Sequence, residues 1–143
     1  MELILSQPSP SEMPVVSGFI KEFVLDSTDI HPEQFVIAKY KNTIVGFGRL
    51  RNYTDCIELC TLGVAEEHRG KGIGRALVNE LIKKAKGKTI YVVCIIPDFF
   101  QKFGFTIAEK YPSSIEEKKK MCTEKFVVPE EYCAMVLTPP NYE

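Results

Sequence analysis

Residues 68 to 77 read HRGKGIGRAL, in which Gly70, Gly72 and Gly74 alternate with Lys71 and Ile73 while Arg69 and Arg75 flank them. Ordered glycine costs conformational entropy, so three in five positions imply a close approach to the backbone. The amphipathic run that follows predicts a helix. The first amides of a helix are free donors in a positive field. Three cations and a turn without bulky side chains at such a helix start form a cradle for an anion, with a diphosphate as the natural guest. Two common phosphate loops fail on spacing. The string G-x-x-x-x-G-K-[ST] is absent. G-x-G-x-x-G would need glycine where Arg75 stands, and the acidic residue expected about 20 positions later is replaced by apolar chain around Cys94.

The elements that must hold this turn follow from periodicity. ELIL reads as a short first strand. Val15, Val16, Phe19, Ile20, Phe23 and Val24 make a helical stripe, with Ser11 as N-cap and Pro14 in the first turn. Residues 26 to 33 read as a loop. FVIAKYK and IVGFGRLR are β-rich and separated by Asn42-Thr43, which predicts a hairpin. CIELCTLGV is the next strand, and alternation places Glu58, Cys60, Leu62 and Val64 on one face. Glu58 is the only carboxylate on it. After the glycines, Ile73, Ala76, Leu77, Leu81, Ile82 and Ala85 share a helical face that Gly87 can cap. TIYVVCII has the near-continuous apolar character of a strand covered on both faces. PDFFQKF reads as a short helix closed by Gly104, FTIAEK as a strand, SSIEEKKKM as a short solvated helix capped by its serines, and EYCAMVL as a last strand stopped by prolines. Arg49 and Arg51 alternate on GFGRLR, either to hold a carboxylate or as arginines of a solvent-facing sheet edge.

With 143 residues, no internal repeat and no long linker, the chain reads as one α/β domain over residues 1 to 143. It is 45% hydrophobic and 26% charged with a formal net charge of −1, so no global basic field favours nucleic acid or an anionic membrane. MELILSQPSPSEM lacks the basic start and apolar core of a secretory signal, and no run approaches the roughly 18 apolar residues of a membrane helix. A cytoplasmic protein is expected. Five cysteines and two histidines include no C-x-x-C pair, so no metal site is expected.

The residues R-x-x-G-x-G (Arg69, Gly72 and Gly74) follow a strand ending LGV, with IYVVCII and FFQKFGF beyond. In this order they resemble the GNAT family of acyl-CoA N-acyltransferases, over most of the chain. The resemblance implies a mixed central sheet of about six to seven strands flanked by helices, with a splayed strand pair that binds coenzyme A. It implies that the diphosphate rests on Arg69, Gly70, Lys71, Gly72, Ile73, Gly74 and Arg75. The pantetheine arm would pair like an added strand with Leu62, Gly63 and Val64. Acetyl transfer from a thioester to an amine needs a base, an oxyanion donor and a departing thiolate. Glu58 aligns with the catalytic glutamate of histone-type members; otherwise it is a charged residue near a strand end. A backbone N–H near Val64 would hold the oxyanion. Cys60 would line the cleft, with covalent transfer through it as a second route. Where many members carry a tyrosine to protonate the sulfur, this chain has Phe100. Water or another tyrosine would then supply the proton, or none is required because a thiolate is a tolerable leaving group near neutral pH; Phe99 and Phe100 would wall the pantetheine or fill the core.

The tail, with Tyr111-Pro112, Cys122 and Ala134 to Leu137, is similar to small stand-alone GNAT proteins grouped with N-acetylglutamate synthases. That resemblance implies acetyl-CoA as co-substrate, no metal, and a small amine or amino acid as acceptor, glutamate among them, with Arg49 and Arg51 as candidate contacts. The broader family leaves two other readings: a non-catalytic acyl-CoA sensor or scaffold, and a protein N-acetyltransferase. A monomer or homodimer is expected.

Overall fold

The computed structural model describes residues 2 to 139. In chain order the elements are β1 (Ile4–Ser6), α1 (Met13–Glu22), β2 (Phe35–Tyr40), β3 (Thr43–Asn52), β4 (Ile57–Val64), α2 (Ile73–Lys84), β5 (Ile90–Cys94), α3 (Pro97–Gln101), β6 (Thr106–Ile107), α4 (Ser113–Lys125) and β7 (Cys133–Leu137). The strands follow one mixed sheet order, β1-β2-β3-β4-β5-β7-β6. The backbone forms two compact units: the residues up to Leu50 with Leu59–Lys84, and Arg51–Glu58 with the residues from Ala85 onward.

In the first unit β1, β2 and β3 pair antiparallel, with Ile4 opposite Lys39 and Tyr40 opposite Thr43. Lys41 and Asn42 both have positive φ (50° and 65°), the backbone of a two-residue hairpin turn. The turn lies one residue earlier than the sequence predicts, because β-branched Thr43 already pairs in the ladder. Val16 and Ile20 of α1 pack with Phe35, Ile37, Ile44 and Phe47, whereas Val15 and Val24 of the expected stripe are exposed, Val24 beyond the end of the helix. The helix is capped differently from expectation. Glu12, not Ser11, is its N-cap residue, with no side-chain cap. Its carboxylate turns back to accept the Ser9 N–H (2.9 Å) and Lys39 Nζ (2.9 Å). On α2, Ile73, Leu77, Val78 and Leu81 are buried.

In the second unit β7 lies between β5 and β6, paired antiparallel with each. The parallel register of β4 on β5 covers Ile57 with Ile90 and Glu58 with Tyr91. The helix read as short and solvated is α4, thirteen residues long, which buries Ile115, Lys118 and Cys122. Its serines make no side-chain cap; the Ser114 N–H is instead held by Asp55 Oδ2 at 3.1 Å. Among the described residues no helix is long and apolar enough to cross a membrane.

Candidate functional site

The glycine turn belongs to the first unit. Gly70 and Gly72 have φ of +79° and +81°, a backbone that side chains rarely adopt, and a Cβ at either would meet nothing within 4 Å. The turn is therefore left-handed for its own backbone's sake and open above its amides. Gly74 already lies inside α2. Arg69 is braced: its Nε donates to the Val64 carbonyl at 3.1 Å, and its guanidinium lies 5.2 Å from the Phe23 ring centre. Lys71 and Arg75 are exposed on either side. The structure thus brings Val64, the glycines and the three cations together at the start of α2.

Gly63 has a different neighbour from the one expected. A Cβ there would fall 2.5 Å from Phe47 Cζ and 3.0 Å from Phe23, so the absent side chain makes room for the protein's own rings. The strict alternation expected along β4 also breaks. Thr61 has φ +52°, and Glu58 to Thr61 are buried in succession. A left-handed residue in mid-strand interrupts the pleat and re-aims the side chains beyond it.

Thr61 is part of a buried cluster around Arg49, which is not at a solvent-facing edge: it is 0% exposed. Its Nε donates to Thr61 Oγ1 at 2.8 Å. Nη1 donates to the carbonyl of Thr28 (2.9 Å) and to Gln34 Oε1 (3.0 Å), and Nη2 to the carbonyl of Asp26 (3.2 Å). The Asp26 carboxylate lies 3.9 Å from Nη2, and Thr61 Oγ1 donates to the Asp26 carbonyl at 3.0 Å. These four guanidinium hydrogen bonds inside the unit tie residues 26 to 34 to β3 and β4. The loop read from sequence as merely polar is anchored by this arginine. Cys60 is buried, its sulfur 3.6 Å from Thr61 Oγ1.

Glu58 stands in the second unit and is also 0% exposed. Oε1 accepts the Tyr53 hydroxyl at 2.7 Å, and Oε2 accepts Lys118 Nζ at 2.8 Å. The Lys118 side chain is only 6% exposed, so this is an ion pair away from bulk water. Burial first, then the charge and hydrogen bond of Glu58, push the Tyr53 hydroxyl well above the ordinary tyrosine range. Arg51 stacks 4.8 Å from the Tyr53 ring. Tyr53 and Lys118 were not singled out from sequence. The signal for Lys118 was its place at i+3 from Ile115 and i−4 from Cys122, the inward stripe of α4. Phe100 is 3% exposed and packs edge-on against Phe99 (5.1 Å) and Phe105 (5.6 Å), in the core of this unit. Phe99 and Phe103 are half-buried.

Three comparisons bear on this arrangement. Residues 5–105 match the family model described as "Acetyltransferase (GNAT) family". An uncharacterized N-acetyltransferase of Chlorobaculum tepidum is 32% identical over 114 residues, 76% of this chain and 72% of its own length. An amino-acid acetyltransferase of Mycobacterium tuberculosis is 28% identical over 116 residues, 76% of this chain and 67% of its own. Among solved structures, N-acetylglutamate synthase from Neisseria gonorrhoeae, complexed with coenzyme A and N-acetyl-glutamate, superposes with a TM-score of 0.79 at 16% identity. The match covers 99% of this chain but 36% of the synthase, about a third of its length.

Proposed function

This chain belongs to the acetyltransferase (GNAT) family, and from that premise we propose that it moves an acetyl group from acetyl-CoA directly to the primary amine of a small acceptor, an amino acid. The observation that carries this reading is the open left-handed turn at Gly70 and Gly72. A diphosphate settling there meets backbone amides at a helix start, with Lys71 and Arg75 to balance its charge. Arg69, fixed on the Val64 carbonyl, holds the end of β4 against the turn. The pantetheine arm then extends along Leu62 to Val64, and its amides pair with strand backbone as a further strand would.

For the chemistry, the amine must reach the thioester carbon without its proton. Glu58 is the base in this reading, taking the proton directly or through a water. Each of its oxygens accepts one hydrogen bond and keeps a second lone pair for that proton. Lys118 and Tyr53 fix the carboxylate's orientation, and Lys118 compensates its buried charge. As the amine attacks, the carbonyl oxygen takes up negative charge, which a backbone N–H near Val64 stabilises. The C–S bond then breaks and the thiolate leaves. Phe100 has no proton to give, and a thiol of pKa about 8.5 departs tolerably as thiolate near neutral pH.

The amino-acid acceptor is supported by the 28% identity to an amino-acid acetyltransferase. Arg49 serves as an anchor of residues 26 to 34 in this reading, and Arg51 as the candidate contact for an acceptor carboxylate. Free thiol released from acetyl-CoA is the assay, with glutamate, other amino acids, amines and peptides with free N-termini tested separately. Release with an amino acid is the expected result. Release with peptides alone moves the reading to protein N-acetylation, and no release with any acceptor overturns it.

A further inference from the structure

The end of the β5–β7 ladder holds a cluster of sulfur outside the residues discussed so far. Cys94 is the last residue of β5, Cys133 the first of β7, and the two are directly opposed in the antiparallel register. Their sulfurs are 3.9 Å apart. Met135, wholly buried two residues further along β7, brings its Sδ to 3.7 Å from Cys94 Sγ. All five cysteines are free thiols in this structure.

We propose that Cys94 and Cys133 are a reversible disulfide-forming pair, oxidised by low-molecular-weight disulfides. Opposed strand residues carry their Cβ atoms about 4.5–5.5 Å apart, against the about 3.5–4.5 Å that a disulfide spans. The sulfurs must close from 3.9 Å to about 2.05 Å. Rotation of the two side chains with a small approach of the strands achieves this. The approach is easiest where the ladder ends, because Cys94 and Cys133 have no further β5–β7 pair beyond them to hold the spacing. The chain before Cys133 is exposed from Val127 to Glu131, and Tyr132 is tethered by its hydroxyl to the Phe126 carbonyl at 2.6 Å.

The two sulfurs have different roles. Cys133 is half-buried and reachable, whereas Cys94 is 7% exposed and burial pushes its thiol up to about 12. Cys133 therefore acts first: its thiolate attacks one sulfur of RS–SR, forming Cys133–S–SR and releasing RS⁻, which takes up a proton. Cys94 then loses its proton to solvent as its sulfur attacks Cys133 Sγ, and the second RS⁻ leaves. Two protein thiols are oxidised and one RS–SR is reduced to two RSH. Pairing of the sulfurs beforehand favours the second step over release of the mixed disulfide. Excess dithiol reverses both.

The test needs no acetyl transfer, so its result is separate from the reading of the active site. The folded full chain is incubated with bis(2-hydroxyethyl) disulfide, blocked with an alkylating agent and digested for mass mapping. Reactive thiols should fall from five to three, with the peptide of Cys94 cross-linked to that of Cys133 and the mass lower by two hydrogens. In Cys94→Ser, Cys133 should remain as a stable mixed disulfide; in Cys133→Ser, Cys94 should stay a free thiol. Circular dichroism of each sample confirms that it is folded. Retention of all five thiols, a cross-link between any other pair, or oxidation only at denaturant levels that unfold the chain would overturn the proposal.

Discussion

Arg49 and Glu58 are both fully buried charges on neighbouring strands, yet they are satisfied in opposite ways. Arg49 spreads its donors mostly over neutral oxygens: backbone carbonyls of Asp26 and Thr28, the Gln34 amide and the Thr61 hydroxyl. None of those four acceptors gains or loses a proton in the working range, so the cluster is a fixed strut. Glu58 has two partners, Tyr53 and Lys118, and both are ionisable side chains. The same burial is therefore met by fixed, mostly neutral oxygens in one unit and by two ionisable side chains in the other. A buried charge held by backbone points to architecture, and one held by titratable side chains points to chemistry.

That contrast can be broken from either side. The largest effect should come from Arg49→Met, which takes the guanidinium donors from the Asp26 and Thr28 carbonyls and removes the cation 3.9 Å from the Asp26 carboxylate. Urea denaturation should show a loss of about 3–5 kcal/mol, and a loss under 1 kcal/mol would deny the strut. Glu58→Gln should lower kcat by about 100-fold at saturating acceptor. Its melting temperature, measured beside the rate, separates catalysis from unfolding, and unchanged turnover from about pH 6 to 9 removes Glu58 from the mechanism.

Gly72→Ala is smaller and sharpens the reading of the turn. Open space around its Cβ position leaves only backbone strain, about 1–2 kcal/mol. Calorimetry should show coenzyme A binding weakened by about tenfold, some 1.4 kcal/mol. Equal affinity would place the diphosphate elsewhere. Tyr53→Phe is the mildest. Because the hydroxyl's pKa is raised in the folded chain, its contribution to stability is complete below the unfolded value, about 10, and is lost as pH rises above it. Wild-type urea midpoints should therefore fall on the alkaline side of that value, and those of the phenylalanine variant should fall less. Parallel curves would detach Tyr53 from the Glu58 pair.

Much of this was readable from the chain. The helix after the glycines, the buried strand IYVVC and the strand carrying Glu58 follow from local periodicity, which needs no partner to be recognised. What escaped depends on distant residues. Lys118 sits in the run EEKKK, where composition suggests solvent, and only the inward stripe of α4 reveals its direction. Arg49 looked like an edge residue because its partners lie in a loop some 20 residues earlier. Thr61 adopts a left-handed backbone that no β-branched residue advertises, so the side-chain alternation along β4 could not be read past it. The hairpin turn was misplaced by a single residue because lysine is a poor local marker of positive φ.

The pairing of Glu58 with a lysine 60 residues later has a temporal side. A ribosome adding about 5–20 residues per second delivers Lys118 roughly 3–12 s after Glu58. During that interval the strand can form around its own hydrophobic residues, but the carboxylate has no cation to bury with and keeps that segment wet. Completion of α4 is what permits it to dry. A nascent or truncated chain lacking this helix thus carries its own mark of incompleteness, a hydrated acidic residue near the start of β4.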